Sequence, residues 1–142
     1  MKTVKQILEA KPAIVHSVTP EVSVYDALKL MMEKNISALL IIANGQLQGI
    51  FTERDYARKI ILQGKSSKET PVRDVMSKDP HTITRYETTE HCMQMMTRHH
   101  FRHLPVVEDT TVIGMLSIGD LVKHIIDDQQ QTINQLESYI NS

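Results

Sequence analysis

Tryptophan is absent from the 142-residue chain, and aromatic residues make up only 4% of it. Proteins that hold single-stranded nucleic acid stack its bases on aromatic rings, so this scarcity argues against such a surface. Cysteine occurs once, as Cys92. No intrachain disulfide can form, which suits a reducing compartment. The formal net charge of −1 leaves no excess of either sign to attract a polyanion. Long apolar runs are also missing. The longest, Ile36 to Ala43, contains Ser37 and falls far short of the roughly 20 residues that span a bilayer. The N-terminus shows no signal-peptide hydrophobic core. A cytoplasmic protein is expected, with neither nucleic acid nor membrane as partner. No phosphate-binding loop, dinucleotide fingerprint or nucleophile motif is present, and Glu53 and Asp55 have no partner to work with as acid and base. No enzyme is expected.

What is present is ordinary in bulk and specific in detail. Apolar residues at 41% and charged residues at 23% fit a soluble globular protein. The length suits one domain or two small, intimately packed repeats. One stretch organises the rest: Gly49 to Asp55, Gly-Ile-Phe-Thr-Glu-Arg-Asp, which returns 65 residues later at Gly114 to Asp120 as Gly-Met-Leu-Ser-Ile-Gly-Asp. Both copies read Gly, two apolar residues, a hydroxyl residue, two variable residues and Asp. The pattern suits a strand running into a helix. Thr52 and Ser117 are placed to cap unpaired N–H groups, and Asp55 and Asp120 fall in the first turn, where the helix dipole favours an acid. Two plainly capped helices would satisfy this. A polar clamp at a cleft mouth would satisfy it too, with hydroxyl and carboxylate turned to a sugar and N–H groups to a phosphate. Two copies in matching context favour the clamp.

The chain in order supports a repeat. Val4 to Leu8 is a short amphipathic stretch that Pro12 ends. Ala13 to Val18 reads as a short strand. Ser23 caps a helix carrying Val24, Leu28 and Met31 on one face, and Lys34 and Asn35 close it. Ile36 to Ala43 reads as a buried strand. Asn44-Gly45 is a hairpin turn, Leu47 to Phe51 its return strand. A helix over Glu53 to Leu62 stops at Gly64. After a polar linker, Lys65 to Thr70, the order recurs: a short helix over Val72 to Met76, a strand over Thr82 to Thr84, and a helix over Thr88 to His99 with Cys92, Met95, Met96 and His99 in its apolar stripe. Strands over Arg102 to Val107 and Val112 to Leu116 follow, joined by a turn at Asp109-Thr110, then a helix over Ile118 to Ile126. An offset of 65 pairs His16 with His81, Leu39 with Leu104 and Asp55 with Asp120, with no gap between His16 and Leu62. The expected fold class is α/β (α+β), two βαββα repeats over residues 1–66 and 67–128 packed about a pseudo-twofold axis. A helical extension over 129–142 carries Ile133, Leu136 and Ile140 at helical spacing, for docking on its own domain or a second subunit.

These residues resemble a tandem pair of CBS domains, also called a Bateman module. The doubled Gly-φ-φ-(Ser/Thr)-x-x-Asp carries the resemblance, with Thr-Glu-Arg-Asp in the first half and His103-Leu-Pro-Val-Val107 in the second. It covers roughly residues 1 to 128 and is closest to small stand-alone CBS-pair proteins of bacteria and organelles. The resemblance implies a non-catalytic regulatory protein. It would bind an adenosine-containing ligand such as AMP, ATP, NAD(H) or S-adenosylmethionine in clefts between the repeats, and signal to a partner protein. It also implies a homodimer in which four repeats form a flat disc. Carried over residue by residue, Asp55 and Asp120 would hold ribose hydroxyls, and Thr52 and Ser117 ribose or phosphate. Ile14, His16, Thr82 and Thr84, with the backbone near Ile36, Ala38, His103 and Pro105, would line adenine. Arg102 and His103 would bind phosphate, with Arg54 another candidate cation. The cations are unequal, because Gly119 replaces Arg54 and Ser37-Ala38 stand where Arg102-His103 stand in the second copy. No metal is expected: His91, His99, His100 and His103 read instead as a cluster at a phosphate or an interface. The competing reading is a structural dimerisation module with vestigial clefts.

Overall fold

The chain opens on helix α1, Val4–Glu9, whose first turn is tied down by Gln6 Oε1 accepting the Thr3 N–H at 3.0 Å. The structure is a computed structural model that describes residues 2–11 and 14–141. The expected helix stop at Pro12 and strand start at Ala13 lie outside the described residues. Strand β1 is short, Ser17–Val18. Helix α2, Val24–Lys34, begins where Ser23 Oγ accepts the Asp26 N–H at 3.1 Å, and it ends on Asn35 in the left-handed conformation. Strands β2, Ala38–Ala43, and β3, Gln46–Thr52, form the hairpin. Asn44 and Gly45 both have positive φ, +54° and +75°, as the tight turn that matches strand twist requires.

The next element departs from the expected regular helix. Helix α3, Glu53–Tyr56, widens at once into a π-helical turn over Ala57–Ile61. Where the sequence suggests a copy of the opening helix, a single 3-10 turn forms over Val72–Asp74. An unexpected strand follows, β4, Ser77–Lys78, which pairs antiparallel with β3 at Gly49 and Ile50. Gly49 makes that approach possible, because a Cβ there would lie 2.7 Å from the Ser77 carbonyl oxygen. The expected strand at Thr82 to Thr84 shrinks to one residue. Ile83 bonds in parallel between Pro105 and Val107, through N···O contacts of 3.0 and 2.8 Å, and its neighbours make no further ladder.

The second half then follows the first. Helix α4, Thr89–His99, is capped by Thr88 and ends on left-handed His100. Strands β5, His103–Glu108, and β6, Thr111–Ser117, turn at Asp109, whose φ is +57°. Their register repeats that of β2 and β3 down to the bulge, which falls between Ile41 and Ile42 in one hairpin and between Val106 and Val107 in the other. Helix α5 runs without interruption over Ile118–Asn141. The extension expected from residue 129 is therefore no separate element: nothing between Ile126 and Ile133 is a glycine or proline that would break the helix.

The sheets are ordered β1-β2-β3-β4 and β5-β6. Each covers its own buried cluster. Leu39, Ile41, Phe51 and Ile60 lie in the first, and Leu104, Val106, Leu116 and Leu121 in the second. The leading segments contribute crosswise. Val4 and Ile7 of α1 pack in the second cluster, while Val72 and Val75 pack in the first. A third cluster, Ala38, Leu40 and Ile50 with Val112 and Met115 packed on it, joins the hairpins. The mixed α and β architecture thus consists of two like halves held by exchanged segments and a shared seam. The clefts lie along that seam.

Candidate functional site

The two Gly-to-Asp motifs end at the same place in each half, on the turn from hairpin to helix, and they build different surroundings. Asp120 sits in the first turn of α5. Its Oδ2 accepts the Ser117 N–H at 2.9 Å and Lys11 Nζ at 2.8 Å, and Ser117 Oγ accepts the Asp120 N–H in return at 3.1 Å. Among the described residues nothing donates to Asp120 Oδ1. Burial pushes this carboxyl upward. The Lys11 and Ser117 hydrogen bonds and the Lys11 charge outweigh that, so its pKa lies below the ordinary value and the group is ionised at neutral pH. Asp120 lines a cleft of about 290 Å³. Ser117, Ile14, His16, Ile36 and Ala38 line it together with Lys11, Ser37, Met115 and His103. Ser117 and Asp120 bring a hydroxyl and a carboxylate to it, Ile14, Ile36, Ala38 and Met115 bring apolar side chains, and His16, Asn35 and Ser37 add further polar groups.

Asp55 has the same motif and no such opening. Its Oδ2 accepts from Thr52 N–H and Thr52 Oγ1, at 3.0 and 3.1 Å. Its Oδ1 accepts Ser77 Oγ at 2.9 Å and lies 3.0 Å from Lys59 Nζ. The residue is 6% exposed. The sequence suggests exposed carboxylates at both junctions. This one is buried because β4 lays Ser77 across it and Lys59, one turn along the helix, closes the other side. At an offset of 65, the residues matching Ser77 and Lys59 are Pro12, which has no hydroxyl, and His124.

Beside the motif in the first half lies a larger cleft of about 550 Å³. Thr52, Arg54, Arg102, His103, His100 and Phe101 line it, with Ser37. Arg54 Nη1 donates to the His100 carbonyl at 3.0 Å, so a cation of the first half is held against the second. Ser37 Oγ and His103 Nε2 are 3.3 Å apart, and both residues belong to both clefts. They form the threshold between the clefts. Burial holds the His103 imidazole below its ordinary pKa of 6.5. Asp120 pulls it up in part, and Arg102 and Lys11 add to the lowering, so the ring is neutral at neutral pH.

Of the residues singled out from sequence, Ile14, His16, Ile36, Ala38, Ser117, Asp120 and His103 meet in the smaller cleft, and Thr52, Arg54, Arg102 and His103 in the larger. Thr82, Thr84 and Pro105 line neither. Thr82 and Thr84 are exposed, and Pro105 is buried in β5 with its carbonyl bonded to Ile83. Sequence reasoning missed Lys11, Ser77 and Lys59, which carry no motif and are recruited from outside the repeat's special positions. His99, expected in the apolar stripe of α4, is exposed at the helix end. Its ring stacks on His81, with centroids 4.4 Å apart, and on Phe101 at 5.4 Å. Among the described residues no three His, Cys, Asp or Glu side chains converge as metal ligands would. Cys92 is fully buried in the second core, where burial, with Glu87 adding to it, pushes its thiol to about 11. Among the described residues no helix is long and apolar enough to cross a membrane.

Comparison with known proteins gives this geometry its family. The CBS-domain profile matches twice, over residues 4–62 and 72–127. The chain is 43% identical over 127 residues to a mitochondrial CBS-domain-containing protein of Arabidopsis thaliana, covering 86% of the chain and 62% of that relative. It therefore spans less than two thirds of that protein's length. A solved structure of a CBS-domain protein from Burkholderia ambifaria, assigned to signal transduction, superposes with a TM-score of 0.87 at 49% identity, covering 90% of this chain and 96% of that one. The CBS protein CBSX2, solved in complex with AMP, superposes with a TM-score of 0.76 at 26% identity, over 91% and 99% of the two chains. The chain belongs to the CBS-domain family. It is a tandem pair, each half carrying one copy of the domain.

Proposed function

We propose that the protein is a non-catalytic regulatory module that binds an adenosine-containing ligand at the Asp120 cleft and passes the bound state to a partner protein. One observation carries this reading: an ionised carboxylate beside a hydroxyl, one of its oxygens without a donor among the described residues, in a slot that also presents Ile14, Ile36, Ala38 and Met115. A ribose diol donates two hydroxyls to such a carboxylate, and a purine fills an apolar slot between strand backbones. The slot, at about 290 Å³, is at the small end of ligand pockets and suits a nucleoside, with its phosphates crossing the Ser37–His103 threshold toward Arg102 and Arg54. AMP bound to CBSX2 supports the ligand class. AMP, ATP, NAD(H) and S-adenosylmethionine all share the adenosine this slot would read.

On this reading the Asp55 motif is structural in the ligand-free state. The module assembles as a homodimer, and its lone buried thiol suits the cytoplasm. Titration calorimetry with AMP, ATP, NADH, S-adenosylmethionine and adenosine tests the proposal. Saturable binding that weakens in Asp120→Ala is expected. If all five fail to bind, the clefts are vestigial and the protein is a dimerisation module.

A further inference from the structure

Helix α5 begins packed on its own half, with Leu121 fully buried, and then leaves it. From Gln129 to Asn141 every residue is exposed. A polar helix of that length is marginal in water without a tertiary contact, yet nothing in the sequence interrupts it. One stripe runs from the packed part into the overhang: Val122, Ile126, Gln129, Ile133, Leu136 and Ile140. The spacings alternate four and three, the 3.5-residue period of a two-helix coiled coil. The apolar members are 44% exposed at Val122 and 76% at Ile140. The stripe lies roughly a quarter-turn around the helix from the buried Leu121, so a second helix can lie against it without displacing the core.

We infer that this stripe pairs with the same stripe of a second copy, with the two α5 helices antiparallel. The flanking charges choose the partner and the direction. Lys123 and Glu137 are the charged residues bordering the stripe on its solvent side, one near each end. In an antiparallel pair centred near Gln130 and Gln131, Val122 meets Ile140, Ile126 meets Leu136 and Gln129 meets Ile133, each twice by symmetry. The same register sets Lys123 of one copy beside Glu137 of the other, also twice. A parallel pair would set Lys123 beside Ile118 and Glu137 beside Thr132, and would form neither ion pair. The pairing specifies the second-copy reading above and does not depend on the nucleotide reading, since none of these residues lines a cleft.

Sedimentation velocity on the full chain, with AMP titrated in parallel, tests it. Wild type is expected to dimerise, and Leu136→Asp to raise the dimer dissociation constant by at least about a hundredfold. Lys123→Glu and Glu137→Lys should each weaken the dimer about tenfold, and the double reversal should restore it. AMP affinity should not change in any of them. A dimer indifferent to Leu136→Asp, or one the double reversal fails to rescue, overturns the helix pairing and leaves a homodimer through other faces. A monomeric wild type overturns both. Failure of AMP, ATP, NADH, S-adenosylmethionine and adenosine all to bind in a protein that passes the charge-reversal test overturns the adenosine-ligand reading alone.

Discussion

Asp55 and Asp120 occupy the same position in the same motif, and they differ in who reaches them. Asp55 is met from within its own half by Thr52 and Lys59 and from the next segment by Ser77, and together they engage both oxygens. Asp120 is met by Ser117 and by Lys11, both on one oxygen. The motif therefore supplies a carboxylate at a helix start, and the leading segment of each half decides whether that carboxylate is a structural tie or a free acceptor. The exchange of leading segments between halves is what makes the two clefts unequal.

The largest effect expected is on stability, at the closed site. Asp55→Ala should cost about 2–3 kcal/mol, because it strands the half-buried Ser77 hydroxyl and leaves Lys59 with the Val75 carbonyl but no carboxylate. The melting temperature should fall by roughly 5–10 °C, measurable by calorimetry. AMP affinity should hold. A stable Asp55→Ala that loses a ligand would reverse the comparison and make Asp55 the ribose group. The matching experiment at the open site should move binding instead. Asp120→Ala should weaken AMP roughly 10- to 150-fold, the loss of a charge-assisted hydrogen bond, at little cost in unfolding free energy.

Much of this comparison is legible without coordinates. The offset of 65 aligns the two carboxylates, the caps Ser23 and Thr88, and the turns at Asn44-Gly45 and Asp109. Each is set by local chemistry: a hydroxyl for an unpaired N–H, or a residue tolerant of positive φ. What is not legible is β4. Ser77–Lys78 has no strand pattern of its own and pairs only because Gly49 lets it approach β3. The strand expected at Thr82 to Thr84 fails for the converse reason. It has β propensity and finds only the single Ile83 bridge.

Smaller effects sharpen the contrast further. Arg102→Ala should weaken AMP about tenfold and leave adenosine unchanged, since an arginine fork reads phosphate alone. Calorimetry with both ligands checks it, and an equal loss for adenosine would move Arg102 out of the phosphate site. The Lys11–Asp120 pair should leave an acid signature. Its native carboxyl pKa is lowered from 3.8, so its contribution is complete above that value and is lost as pH falls through the native one. Lys11→Met should flatten that limb of the stability profile by less than about 1 kcal/mol, as suits a partly exposed pair. Urea titrations between neutral pH and the acid limb would show it. The smallest effect belongs to His103. Burial keeps its free imidazole below 6.5, and a bound phosphate would raise it. AMP affinity should therefore rise a few-fold as pH falls through the bound-state pKa toward the free one. His103→Gln should remove that dependence, and proton NMR of the ring with and without AMP should show the shift. Identical titration in both states would exclude His103 from the phosphate.

The sequence by itself determined the repeat, the order and register of the hairpins, the capped helix starts and the residue types of the clamp. These depend on neighbours a few positions away, whose preferences survive in any context. Only the tertiary structure decided which clamp is open. Ser77 reaches Asp55 across 22 residues, and Lys11 reaches Asp120 across 109. Neither residue is marked by its own surroundings in the chain. A serine and a lysine are ordinary surface choices until packing brings them to a carboxylate, and the number of oxygens they engage there separates a closed structural tie from an open acceptor.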